Sequence, residues 1–206
     1  MKKFKLIFLS ILCSMLLITP FTEPIHAENN TTYEELFEKY RITDVQNIPE
    51  GINPIIVTSP QELENVLLSL ENLNFSTSEI NSSNMARNIV ERTASVNFNT
   101  GGALPGTTAT VSLKVNFDLY SSGSFTGIQA INRSYWTLTG VTATLSLDNE
   151  YTRHSLNNGV ITVSGSTDVH LYILIEDLFK LYTTHLNAGY KYEPYEGIHD
   201  VWSYTS

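Results

Sequence analysis

Residues 107–120 read TTATVSLKVNFDLY. Ala109, Val111, Leu113, Val115, Phe117 and Leu119 alternate with Thr110, Ser112, Lys114, Asn116 and Asp118. Successive side chains of a strand point to opposite sides, so this period of two collects the apolar groups on one face. The polar parity adds a second constraint. Parallel sheets buried on both faces read as continuous apolar runs, whereas an antiparallel sheet leaves one face to water. The stretch therefore predicts a half-buried antiparallel strand.

The same texture extends on both sides of it. TASVNFNT (93–100) alternates at Ala94, Val96 and Phe98, and FTGIQAINRS (125–134), YWTLTGVTATLSL (135–147), GVITVSG (159–165) and DVHLYILIE (168–176) follow with Gly, Asn and Ser between them. Strands at this spacing with turn residues between them are the pattern of a sandwich. Residues 176–189 fit either a helix, through Ile175, Leu178, Phe179, Tyr182 and Leu186, or a hairpin; the flanking strands favour the hairpin. The expected fold is mainly β, an antiparallel β-sandwich over residues 88–206 preceded by a short α-helical N-terminal segment.

Residues 28–87 read as that helical segment followed by a polar linker. Thr31 and Thr32 each stand three residues before a glutamate, Glu34 and Glu35, which offers two capping boxes to a helix carrying Leu36, Phe37 and Tyr40 on one face. A second helix starts at Ser59, with Pro60 in the first helical position and Glu62 three residues after the cap. Leu63, Val66, Leu67, Leu70 and Leu73 then recur at helical spacing, as a face packed on the main domain. Residues 74–87, NFSTSEINSSNMAR, are polar and Ser/Asn-rich and read as a linker, with Arg87 and Arg92 as weak marks of a propeptide boundary.

The first residues are an export signal by pattern. Lys2, Lys3 and Lys5 precede an apolar run from Leu6 to Ile18, Pro20 ends it, and Ile25-His26-Ala27 offers a cleavage point. The run is shorter than the roughly 20 residues a membrane-spanning helix needs, so no stable membrane anchor is expected. Secretion with cleavage after Ala27 is the expectation, with residues 1–27 as the signal peptide. Cys13, the single cysteine, lies inside the apolar run. A lipobox needs small residues just before its cysteine, and Ile11-Leu12 stand there instead, so Cys13 reads as a small hydrophobe. An exported chain without a disulfide suits a Gram-positive bacterium. Leu104-Pro105-Gly106-Thr107 imitates a wall-sorting signal, but Thr108 follows where Gly belongs; the stretch is a turn.

The chain is acidic, with a net charge of −9, and loss of residues 1–27 would remove three Lys and only one Glu. Such a chain is repelled by nucleic acid and by anionic membranes. No nucleophile elbow, zinc-protease helix, phosphate loop or cysteine pair occurs, and no cofactor motif is present, which argues against an enzyme. Asp168 and His170 lie two apart on one strand and would share a face, as a metal pair, an acid–base pair or simply a polar face. His199-Asp200 carries the same readings. The aromatics are the better lead: Tyr182, Tyr190, Tyr192, Tyr195, Trp202 and Tyr204 crowd the C-terminal region, and Tyr135-Trp136 open a strand. Tyr135, Trp136, Tyr190, Tyr192 and Trp202 are the candidate ligand-binding residues, with core packing as the alternative. Residues 135–147 read as one strand, in which Trp136 shares the parity of Thr142, Thr144 and Ser146 unless a bulge at Gly140 swaps the faces. It then projects on the polar side, where the Tyr-rich tail is expected to cover it.

Two functions fit this pattern. The first is a non-enzymatic extracellular binding or interaction module for a glycan, wall polymer or extracellular protein. The second is a secreted membrane-active effector, whose alternating stretches Val111 to Leu119 and Val141 to Leu147 would supply an inserting hairpin. The sequence does not fix an oligomeric state.

Overall fold

The structure is a computed structural model that describes residues 31–71, 73–86, 89–99, 109–140 and 144–206, with backbone alone for 81–86. The export signal, Cys13, Arg87, the Leu104–Thr107 turn and Val141 therefore lie outside the described residues. In chain order the elements are α1 (Tyr33–Tyr40), β1 (Thr43–Asp44), β2 (Ile55–Ile56), α2 (Pro60–Glu71), β3 (Asn74–Ala86), β4 (Ile89–Asn99), β5 (Ala109–Ser122), β6 (Phe125–Gly140), β7 (Leu145–Asn157), β8 (Val160–Ile175), β9 (Leu178–Glu193) and β10 (Gly197–Thr205).

Two sheets face each other. The first is the meander β3-β4-β5-β6, antiparallel throughout. The second is centred on the β8–β9 hairpin. Along the outer edge of β8 lie β7, antiparallel, and then β2, parallel; along the outer edge of β9 lie β10 and β1. The inward parities interlock in one core. Val111, Leu113, Val115 and Phe117 of β5 meet Ile161, Val163, Val169 and Leu171 of β8 and Tyr190 and Tyr192 of β9. The Tyr190 hydroxyl crosses between the sheets to donate to the Ala94 carbonyl at 2.9 Å, and Phe117 packs on Tyr192 at 4.6 Å between centroids. The antiparallel sandwich preceded by short helices is the observed fold.

The helices form as their caps dictate. The Thr32 hydroxyl accepts from the Glu35 amide at 3.3 Å while the Glu35 carboxylate accepts from the Thr32 amide at 3.0 Å, so of the two possible boxes the second forms. At α2 the Ser59 hydroxyl caps the Glu62 amide, and Glu62 reaches one residue further back, to the Thr58 amide at 2.8 Å. Leu63, Val66, Leu67 and Leu70 join the sandwich core, as the leucine stripe predicts. Tyr40 meets Tyr182 edge-on at 6.1 Å, and Lys180 sits 4.4 Å over the Phe37 ring while its ammonium pairs with Asp44. The helices thus close the end of the β8–β9 hairpin, and Thr31–Ser206 is one unit.

Three expectations are decided here. Residues 178–193 are a strand, and Glu176 and Asp177, both at positive φ (49° and 65°), form the two-residue turn that a tight hairpin requires. The polar stretch 74–86 is not a linker: it pairs with β4 from Asn74↔Asn99 to Ala86↔Ile89 as an edge strand. An edge strand faces water broadly, so Ser and Asn satisfy it as well as apolar residues would, and composition alone misleads. Residues 135–147 are not one strand. β6 ends at Gly140, at φ +92°, and β7 begins at Leu145 in the other sheet. The parity of Thr144 and Ser146 therefore carries no information about Trp136, which faces the core.

Candidate functional site

Of the five candidate aromatic residues, three are core. Tyr190 and Tyr192 are 1% and 0% exposed. Trp136 is 4% exposed, packs at 6.4 Å from Phe98, and donates its indole N–H to the Tyr151 carbonyl at 3.2 Å. Its cover is the sandwich interior, not the tail. Tyr135, one residue earlier, points the other way. Its hydroxyl donates to Asn116 at 3.2 Å and Arg133 lies 4.5 Å over its ring, on the outer face of the meander. Trp202 lies on the outer face of the other sheet. The five residues do not form one surface.

The outer face around β8, β9 and β10 does bring functional groups together. Outward parity on β8 belongs to Ser164, Ser166, Asp168 and His170, and their partners across β9 are Gly189, Asn187, His185 and Thr183. Beyond β9, Trp202 pairs with Gly189 and Tyr204 with Asn187. Asp168 is therefore flanked by His185 on one side and by Asp148 of β7 on the other. The shared face of Asp168 and His170, read from their spacing, is present. His185, Asp148 and Asn149 are the members that spacing along one strand does not reveal.

The geometry of this row is tight. His185 Nδ1 lies 2.6 Å from Asp168 Oδ1, and since a carboxylate only accepts, Nδ1 carries the proton. Asn149 donates to Asp168 Oδ2 at 2.6 Å from an irregularity in β7, where its φ is +50°. His170 Nδ1 meets the Thr183 hydroxyl at 2.7 Å, and its Nε2 lies 3.9 Å from Asp148. Partial burial alone would raise the Asp168 carboxyl, but the hydrogen bonds from Asn149 and His185 and the nearby imidazoles outweigh it and hold it below the ordinary 3.8.

That shift has a pH signature. A carboxyl depressed on folding adds stability that is present above the unfolded value and is lost as pH falls through the lower folded value. Chemical denaturation followed from pH 6 to below pH 3.8 should show this loss. In Asp168→Asn that part of the slope should flatten, and stability at pH 7 should drop by about 1 kcal/mol. An unchanged slope would show the hydrogen bonds to be absent in solution.

The aromatic flank is exposed. Trp202 and Tyr204 are 45% and 59% exposed, and their rings stack at 6.1 Å with 19° between planes. Trp202 lies flat over Gly189, where any side chain would collide with the indole. A glycine covered by a cross-strand aromatic is a recurrent sheet device, and here it seats the indole with its other face in water.

Elsewhere, the β5–β6 hairpin tip carries Tyr120, Phe125 and Ile128 around an open groove of about 360 Å³. Tyr195 reaches it from the β9–β10 turn and accepts from the Thr126 amide at 2.8 Å. Asp200 does not join His199 as a pair: it binds Lys191 at 2.7 Å, which holds its carboxyl low. Among the described residues no helix is long and apolar enough to cross a membrane. No family, curated protein or solved structure matches this chain.

Proposed function

We propose that the protein is a secreted, non-enzymatic binding module that holds a glycan along the outer face of β8, β9 and β10. The observation that carries this reading is the exposed Trp202–Tyr204 stack beside the hydrogen-bonding row Asn187, Asp168, His185, Thr183 and His170. A pyranose ring presents an apolar C–H face and a rim of hydroxyls. Flat aromatic rings match the first, and carboxylate, amide and imidazole groups match the second. The face is open rather than a closed pocket, which suits a polymer more than a small molecule. The acidic chain disfavours anionic polymers. Asp168 holds His185 and Thr183 holds His170, which fixes the polar groups in place for contact.

Affinity electrophoresis through gels containing neutral polysaccharides, with pull-down on bacterial peptidoglycan, tests the reading. Retardation by at least one polymer is expected, and Trp202→Ala should weaken it on the order of tenfold while circular dichroism shows the fold retained, because hot-spot aromatics carry much of a contact. Absence of retardation by any polymer, or retardation untouched by Trp202→Ala, would refute the reading.

The second reading, a secreted membrane-active effector, is favoured by one observation. Phe125 is 62% exposed at a hairpin tip beside Tyr120, and an aromatic tip suits the membrane interface. The apolar parity of Val111 to Leu119 gives it no support, since those residues fill the core. Dye release from liposomes by wild type, lost in Phe125→Ser, would favour the effector over the binder.

A further inference from the structure

We propose that the turn joining β9 to β10 is a site for one divalent transition-metal ion of the zinc class, held by Glu193, Glu196 and His199. One carboxylate oxygen of each glutamate and one imidazole nitrogen all lie within 4.8 Å of one another. Metal–ligand bonds of about 2.0–2.2 Å place donors roughly 3–4 Å apart around a shared ion. Side-chain adjustment alone closes that difference.

The backbone brings the three together. Glu193 ends β9 and pairs with Gly197, whose φ of +73° lets the chain turn after Glu196. His199 lies two residues beyond Gly197 and shares the outward parity of Glu193. A second observation concerns the imidazole itself. Its Nδ1 is 3.3 Å from the Gly197 carbonyl, which can only accept, so Nδ1 carries the proton. In the neutral ring Nε2 then holds the lone pair, and Nε2 is the atom turned to Glu193 Oε1, at 3.7 Å. An imidazole pinned through one nitrogen to a backbone carbonyl, with the other aimed at carboxylates, is how ligating histidines are oriented. The nearby ammonium of Lys191 is hydrogen-bonded to Asp200 instead.

The donor set selects the ion. Calcium and magnesium take oxygen ligands almost alone, whereas one imidazole with two carboxylates suits zinc, cobalt or nickel. Three protein ligands leave a coordination position open to water or to an oxygen of a bound molecule. The ion would tie the end of β9 to the start of β10 at one end of the face that carries Trp202.

Calorimetric titration of chelator-treated protein with zinc chloride tests the site, with cobalt absorption as the second readout. One zinc per chain is expected, with no saturable heat from calcium or magnesium. His199→Ala and Glu196→Gln should each weaken zinc binding on the order of tenfold or more and abolish the visible cobalt band. Melting of both variants in chelator should match the wild type, which separates metal loss from misfolding. Absence of saturable zinc binding, calcium binding as tight as zinc, or affinity unchanged in both variants would overturn the proposal.

Discussion

Trp136→Ala should lower folding stability by about 3–5 kcal/mol, the loss typical of a large aromatic removed from a core. The indole lies between the two sheets, against Phe98 and close to Gly165 and Leu113. It also holds β6 to β7, since its N–H donates to the Tyr151 carbonyl. Truncation leaves a cavity and removes the indole hydrogen bond, and each adds to the loss. Urea denaturation monitored by circular dichroism measures it. A loss under about 1 kcal/mol would contradict the core placement of this ring. Fluorescence gives an independent check: in a Trp202→Phe background, emission should be that of a buried indole and should red-shift only on unfolding.

Gly165→Ala should cost about 1–3 kcal/mol or more, although it adds only one methyl. A Cβ at this position would lie 2.6 Å from the Tyr151 carbonyl oxygen, 3.0 Å from Trp136 Nε1 and 3.3 Å from a Leu113 methyl. The first neighbour is backbone and cannot rotate away, so β7 must shift and the indole hydrogen bond must lengthen. The two substitutions act on one contact. The double variant Gly165→Ala/Trp136→Ala should therefore cost less than the two single losses added together, because removing the indole frees space for the methyl. Simple additivity in the double variant would show that Gly165 and Trp136 are not in contact.

Legibility in the sequence tracked how local each signal was. The alternation of residues 109–119 marked β5 and its inward face without reference to any partner. The caps of α1 and α2 were equally local, each closing within four residues. The meander's edge strand β3 reads as a linker because its polarity reflects exposure at an edge, which linkers share in their composition. His185 was within reach. Once Glu176-Asp177 is taken as a two-residue turn, antiparallel register pairs residues equally distant from it, and Asp168 must then lie opposite His185. Asn149 was not within reach, since an irregularity in β7 aims its side chain at Asp168.

The sequence by itself determined the class of the fold, the antiparallel character of the sheets and the inward parity of the longest strands. Periodicity and capping are properties of neighbours in the chain, and they survive without a tertiary partner. The tertiary structure alone decided which sheet each strand joins, and with it the fate of the aromatics. β6 ends at Gly140 and β7 begins at Leu145 in the other sheet, so the side Trp136 takes is set by its partner Leu113 on β5, which faces the core, while Trp202 stays outside. Whether an aromatic side chain is core or surface depends on what covers its strand, and that cover comes from residues far away in the chain.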